Sequence, residues 1–573
     1  MQEISVEHYI THHYPKINNY PQIVKKFIFS SLKRLIKEGE INEFLSQNSN
    51  KDGFSFIDEI LDYFDIAIKI NTQELERVPQ FGRVVIIANH PLGALDALAL
   101  IHVLKSVRQD LKIVANSFLQ QLEPMRELLI GVDNISNTIT KSSLTGIIDS
   151  LNKEEAVIIF PSGEVSRPGR QGVITDGKWK AGFYKMASKT RAPILPIHIK
   201  AKNSKTFYTL SLINSSLATA ALPREMFNFK GKTITFKIGN PIPYESYRMP
   251  NISNKEAVRI VRKHFFRVAK GKKGLLKEQK GICLAEAPSV IKQELKNGTE
   301  LGKTSDGKSI ILYESSVENS VIKEIGRLRE ITFRFVGEGS GNRRDIDKYD
   351  FYYKHLIIWD DENIEIAGAY RIGDCKEIVE VEGVEGLYTS TLFNFDEKFT
   401  HNFEQALELG RSFVQPKYWN SRALDYLWQG LGAYVRSNPR IRYLFGPVSL
   451  SDNFTLQAKS LMVYFYSHYF EPKEPQVRHK EPFVIPKEIA GYCKDIFCGD
   501  NYKEDFKILR EELDYLGYSV PTLYKQYADV CEEGGVNFYD FGLDRDFNDC
   551  IDGFIFVDLN YMKAAKRKRY IGE

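Results

Sequence analysis

Apolar residues at three- and four-residue spacing over 22–38 and 54–68 predict two amphipathic helices in an N-terminal helical segment, residues 1–75. Beyond residue 82 the pattern changes. "RVVIIAN" (83–89), "LKIVAN" (111–116), "AVIIFPSGE" (156–164), "APILPIHI" (192–199) and "KTITFKIGNPI" (232–242) are short, nearly continuous apolar runs that read as strands. "LDALALIHVLKSV" and "WKAGFYKMASKT" between them read as helices. Buried strands separated by helices predict an α/β layer fold with a mostly parallel sheet over residues 76–270, closed by a helix at 254–270. Residues 271–304, opening "GKKGLLKEQKG", read as a linker. From 305 to 490 the runs "KSIILYES", "KHLIIWDD", "IEIAGAYRIG", "YTSTLFNFD" and "ALELGRSFV" read as strands, followed by a helix at about 421–437 and the strand "RYLFGPVSL". The expectation is a two-domain protein, α/β then α+β, with 491–573 as a C-terminal extension.

Composition narrows the class without naming a function. With 43% apolar and 27% charged residues this is a globular chain, and no run nears the roughly 18 apolar residues of a membrane span. The N-terminus lacks a charged region followed by an apolar core, so no secretory signal is read. Six cysteines in 573 residues are no disulfide framework, which points to a reducing cytoplasm. Cys493 and Cys498 lack a second ligand pair, so no metal is expected. Net charge is only +4, but basic residues interleave with apolar ones in "KKFIFSSLKRLIK" (25–37) and "RIVRKHFFRVAKGKKGLLK" (259–277), and "KAAKRKRY" closes the chain. Such stretches suit an anionic membrane surface or an acidic protein partner, or they are solvated faces over an ordinary core. No nucleic-acid-binding motif is present, and no nucleic-acid partner is expected.

Two groups of residues carry candidate chemistry. The strand at 84–88 delivers Asn89 and His90 to the carboxyl edge of the sheet, where open α/β sheets bind ligands. Asp96 follows in the first turn of the next helix. A carboxylate on one imidazole nitrogen fixes the tautomer and lets the other accept a hydroxyl proton. The bland alternative is a turn histidine beside an ordinary acidic residue near a helix N-terminus. Asn-His…Asp, then "FPSGEVSRPG" (160–169), then the Pro-punctuated strand at 192–199 together resemble the glycerolipid acyltransferases. The resemblance implies a His90–Asp96 dyad that activates an acceptor hydroxyl against an acyl thioester, with Asn89, Ser162, Gly163, Glu164 and Arg167 lining the acceptor site. Two departures stand out. Five residues rather than four separate His90 from Asp96, and Val165 stands where the family carries an arginine for acceptor phosphate. An acceptor without phosphate is implied, although Arg167, with Arg170 nearby, could substitute.

The second group lies in "RLREITFRF", "DIDKYDFYYKHLIIWD", "AGAYRIG" and "ELGRSFV". Glu408 and Arg411 are three apart on a strand, hence on opposite faces unless a bulge intervenes. Asp347 and Asp350, three apart in a loop, make a local negative field. In this order Arg329, Phe333, Asp347, Asp350, Arg371, Glu408 and Arg411 resemble the acyl-homoserine-lactone-synthase branch of the GNAT fold and its ornithine N-acyltransferase cousins. That resemblance implies Glu408 as the base for an α-amine, Asp347 and Asp350 as amine-binding or network residues, and Arg371 and Arg411 as their supports. The Gly-rich pyrophosphate cradle of CoA-dependent relatives has only an incomplete counterpart, "QGLGAY" (429–434), inside a predicted helix. Acyl carrier protein is therefore the expected donor and partner, acyl-CoA the less favoured one.

The succession of halves resembles the bifunctional ornithine lipid synthases. It implies N-acylation of ornithine with a 3-hydroxyacyl group, then O-acylation of the lyso-lipid, by a cytoplasmic enzyme held peripherally at the inner membrane and needing no cofactor. Competing readings are an sn-2 lysophospholipid acyltransferase fused to a GNAT domain acting on glycine, lysine or another amine; a lactone-signal synthase; and a non-catalytic membrane-binding or lytic protein.

Overall fold

A computed structural model describes residues 5–572 apart from 14, 49, 117–122, 133–140, 170–171, 546 and 548. It divides into two compact units, residues 1–281 and 282–573.

In the first unit the short described strands Arg167–Pro168 and Ile174–Thr175 pair separately, and the seven other described strands form one sheet. Its order is Ala67–Lys69, Thr233–Ile238, Ile194–Lys200, Val84–Ala88, Ala156–Ile159, Leu111–Asn116 and Leu129–Val132. Neighbours are parallel except Ile194–Lys200 with Thr233–Ile238. Val84–Ala88 is central and buried throughout. Its alternate residues feed two cores: Val84 and Ile86 pack with the helices Gly53–Tyr63 and Leu95–Leu104, and Val85 and Ile87 with Gly182–Thr190 and Asn254–Ala269. Each buried Val or Ile contributes roughly 1.5–3 kcal/mol, so the segment that carries His90 is rigidly held. Three short helices between 205 and 228, not predicted, lie between the last two strands of the chain order.

The second unit is built on an eight-stranded sheet of described residues. Its order is Thr299–Lys303, Ser309–Tyr313, Lys354–Asp360, Glu365–Asp374, Ala406–Val414, Tyr443–Leu450, Cys550–Asp558 and Val536–Asp544. All neighbours are antiparallel except Ala406–Val414 with Tyr443–Leu450, joined by the crossover helix Ala423–Ser437. That helix packs on one face and the helix Ser320–Val336 on the other.

Three expectations are corrected here. The chain divides at 281/282, and the expected linker 271–304 already holds the helix Pro288–Leu295 and an edge strand. Residues 491–573 are no extension, because 536–544 and 550–558 are integral strands that extend the sheet beyond Tyr443–Leu450. "YTSTLFNFD" forms a 3-10 turn, Tyr388–Thr391, and a short strand, Phe393–Phe395, outside the main sheet. The amides of Tyr388 and Thr389 point at a buried carboxylate instead of a ladder partner.

Among the described residues no helix is long and apolar enough to cross a membrane.

Candidate functional site

His90 follows the Val84–Ala88 strand, and Asp96 is in the first turn of Leu95–Leu104. The chain folds back as a dyad needs: His90 Nδ1 lies 3.1 Å from Asp96 Oδ2, which also accepts from the Leu92 amide at 2.9 Å. A carboxylate only accepts, so Nδ1 carries the proton and Nε2 is left as the free base. The Phe160 ring stacks on the imidazole at 4.1 Å. Burial works against the charged forms of both partners, but the mutual attraction prevails: His90 is held above the ordinary histidine range and Asp96 below that of a carboxylate.

The other first-unit residues divide. Asn89 does not face a ligand. Its amide donates to the Ile199 carbonyl at 2.9 Å and accepts from the Ile199 amide at 2.7 Å, strapping His90's strand to its neighbour. Ser162 closes the 160–164 turn by donating to the Glu164 carbonyl, and Gly163 supplies the left-handed φ of 66° at its tip. Glu164 is exposed. Arg167 donates through one nitrogen to Ser215 and Thr219 on the helix Ser215–Ala220, while its Nε and Nη1 are buried without a hydrogen-bond partner among the described residues, and Arg170 lies outside them. Val165 is buried against Phe207, Tyr208 and Leu222. Sequence reasoning missed Asp176. Its carboxylate takes hydrogen bonds from the Ser166 hydroxyl at 2.6 Å, the Trp179 indole at 3.1 Å and the His90 amide at 3.3 Å, clamping three separated segments together.

In the second unit the bulge exists. Arg371 pairs with Gly410 but Ala369 with Phe413, and Arg411 adopts φ 51°. The extra residue turns the Arg411 guanidinium between the rings of Tyr388, 4.9 Å away, and Phe547, 4.6 Å away. The Tyr388 amide in turn donates to Glu408 at 3.1 Å, so Glu408 and Arg411 share one site.

Glu408 is 1% exposed and is the last residue of its strand to pair with Tyr443–Leu450. It accepts from the Thr389 amide at 2.6 Å, the Tyr388 amide and the Tyr353 hydroxyl. Burial pushes its carboxyl above the ordinary range; the donors only moderate the rise.

Asp350 is fully buried. It accepts from Arg329 at 2.7 Å, Arg371 at 3.3 Å and the Asp347 amide at 2.9 Å. Burial opposes ionisation there, but the two guanidiniums hold the carboxyl far below its usual range. Asp350 is thus a charge hub rather than an amine contact. Asp347 reaches outward, its side chain 26% exposed, bonded to Arg371 at 2.5 Å and 3.8 Å from Arg411. Phe333 supports the site indirectly, edge-on to Phe547 at 5.2 Å.

Tyr353, Tyr388, Thr389, Asp345, Asp544, Asp552 and Phe547 were not singled out from sequence. Asp345 pairs with Arg411 at 3.4 Å, and Tyr388 donates to Asp544 at 3.2 Å. Burial and the neighbouring Asp544 push Asp552 up to about 7. The one signal available was the two strand-like runs "VNFYDFGLD" and "CIDGFIFVD", which bring Asp544 and Asp552.

The glycines of "QGLGAY" serve packing. A Cβ at Gly430 would lie 2.7 Å from Ile310, and one at Gly432 2.1 Å from the Tyr570 carbonyl. The closing basic run is likewise engaged: Arg569 pairs with Asp425 at 2.8 Å and Lys566 with Asp529 at 3.0 Å.

Chemically, one unit offers an imidazole with a free nitrogen at a sheet edge, suited to taking a hydroxyl proton. The other offers a buried carboxylate of raised proton affinity beside an outward aspartate, suited to deprotonating a cationic amine.

Comparison with known proteins agrees with this division. A family model described as an acyltransferase matches residues 15–272, and one described as an acetyltransferase (GNAT) domain matches 328–429. A glycine N(alpha)-acyltransferase of Phocaeicola vulgatus is 34% identical over 298 residues, 49% of this chain and 90% of that protein. A lyso-glycine lipid O-acyltransferase of the same organism is 30% identical over 232 residues, 39% of this chain and 81% of that protein. An L-ornithine N(alpha)-acyltransferase of Brucella abortus is 32% identical over 165 residues, 25% of this chain and 57% of that protein.

Proposed function

The chain belongs to the aminolipid acyltransferases, and from that premise we propose that it makes a diacylated aminolipid in two steps, one in each unit. In the second unit Glu408 takes a proton from the α-ammonium of an amino acid oriented by Asp347. The freed amine attacks the carbonyl carbon of a 3-hydroxyacyl thioester, the C–N bond forms, the C–S bond breaks, and the departing thiolate takes the amine's second proton. In the first unit His90 Nε2 takes the proton of the 3-hydroxyl, whose oxygen attacks a second acyl thioester, while Asp96 stabilises the imidazolium. The proton passes to the thiolate that leaves.

The observation that carries this reading is the pairing of two proton-accepting centres with two different tasks. Buried, apolar Val165 supports an acceptor without phosphate. We propose ornithine as the amino acid, since the carboxylates around Arg411 (Asp345 at 3.4 Å, Asp347 at 3.8 Å, and Asp544) favour a second ammonium group. Glycine is the second reading, favoured by a relative named for glycine that aligns over 298 residues, 49% of this chain. An acyl carrier protein is the proposed donor, a choice supported by the packing role of Gly430 and Gly432 where a pyrophosphate cradle would need open backbone. A peripheral position at the inner membrane is supported by exposed Ile23 and Phe27 on a helix that also carries Lys25 and Lys26.

Expression in a host without aminolipids, followed by mass spectrometry of the extracted lipid, tests the reading. A new phosphorus-free diacyl lipid with an ornithine head group is expected. A glycine head group selects the second reading, and altered phospholipid chains alone would overturn both.

A further inference from the structure

We propose that Tyr353 is the positioning residue of the amine-acylating centre: its hydroxyl fixes the Glu408 carboxylate and keeps it ionised for the incoming ammonium. This rests on the reading of Glu408 as the base.

Three observations converge on it. A tyrosine hydroxyl has one proton to give. The Tyr388 amide donates to the Tyr353 oxygen at 3.0 Å, which leaves that proton for Glu408 Oε2. The direction of the bond is therefore set by the backbone. The ring is equally constrained. Gly373 is the register partner of Glu408, and a Cβ there would lie 2.4 Å from Tyr353 Cε1. The strand gives up a side chain at this position, and the Tyr353 ring crosses it to reach the carboxylate. Edge-on contacts with Tyr349 at 5.8 Å and Tyr352 at 5.3 Å hold the ring from the side.

The physical need follows from the burial. A carboxylate removed from water binds its proton more tightly, and one that is already protonated cannot act as a base. The donors at Glu408 counter that tendency, and the Tyr353 hydroxyl is the side-chain donor that the chain can lose without losing the ring. Tyr353 touches neither reacting atom; it acts through Glu408.

The test uses the purified full-length enzyme, with N-acylation and O-acylation measured separately across pH. In Tyr353→Phe the acid limb of N-acylation should move up by about one pH unit, the proton affinity of Glu408 having risen by about tenfold. On the acid limb itself kcat should fall about tenfold at a given pH, the KM for the amino acid should stay within about twofold, and O-acylation should be unchanged. A 3-fluorotyrosine at 353, which keeps the hydroxyl and strengthens it as a donor, should restore the rate and leave the limb at or below its original pH. An unmoved limb in Tyr353→Phe, whether activity is kept or lost, overturns the proposal, as does failure of the fluorotyrosine to restore the rate. Glu408→Gln separates the two levels. Retained N-acylation there refutes Glu408 as base; loss there with an unmoved limb in Tyr353→Phe refutes only the role of Tyr353.

Discussion

Replacing Asp350 by Asn removes one negative charge from beneath two guanidiniums that are themselves 1–2% exposed, Arg329 and Arg371. Each ion pair is worth roughly 4 kcal/mol at 4 Å and an effective dielectric near 20. Measured losses on removing one partner of a buried pair are about 3–5 kcal/mol, because the stranded charge is left without water or counter-ion. Asp345 and Asp347 offer partial compensation at 3.5 Å from Arg329 and 2.5 Å from Arg371, which argues for the lower half of that range. Asp350→Asn should therefore destabilise the second unit by about 3 kcal/mol, or about a hundredfold in its folding constant. Three of the four tryptophans, Trp359, Trp419 and Trp428, lie in that unit, so fluorescence-monitored urea unfolding reports it directly. In a double-mutant cycle with Arg371→Gln, the Asp350→Asn penalty should shrink by about 1–3 kcal/mol. A single-mutant loss below about 1 kcal/mol, or strict additivity in the cycle, would refute the charge-hub assignment.

The remaining predictions concern both units. Asp96→Asn should lower O-acylation by about 10³–10⁴-fold through loss of the imidazole's orientation and tautomer. The residual activity should show an acid limb at lower pH, since the carboxylate that held His90 above its ordinary range is gone, while N-acylation persists; separate pH–rate profiles check this. Gly432→Ala would place a methyl 2.1 Å from the Tyr570 carbonyl and should cost about 1–3 kcal/mol, with the closing helix Ala564–Tyr570 becoming the first site of limited proteolysis.

What the sequence disclosed depended on how local each feature was. Val84–Ala88 could be read because a strand buried on both faces has no polar position to spare. His90 and Asp96 could be paired because one turn joins them. The Arg411 bulge could not be foreseen: a non-glycine residue at φ 51° is a cost met by tertiary contacts, here two aromatic faces, that leave no local mark. Tyr353 and Thr389 were missed for the same reason, since they meet Glu408 from 55 and 19 residues away. Asn89 shows the converse. A residue type often seen at binding sites proves to be a backbone strap, because its amide matches a neighbouring strand.

Lipid profiles of His90→Ala and Glu408→Ala in the aminolipid-free host decide whether two proton-removing centres are used in sequence. Monoacylated lyso-lipid should accumulate in His90→Ala, and both lipids should be lost in Glu408→Ala. Diacyl lipid persisting in His90→Ala, or undiminished product in Glu408→Ala, would show that the two centres are not so used.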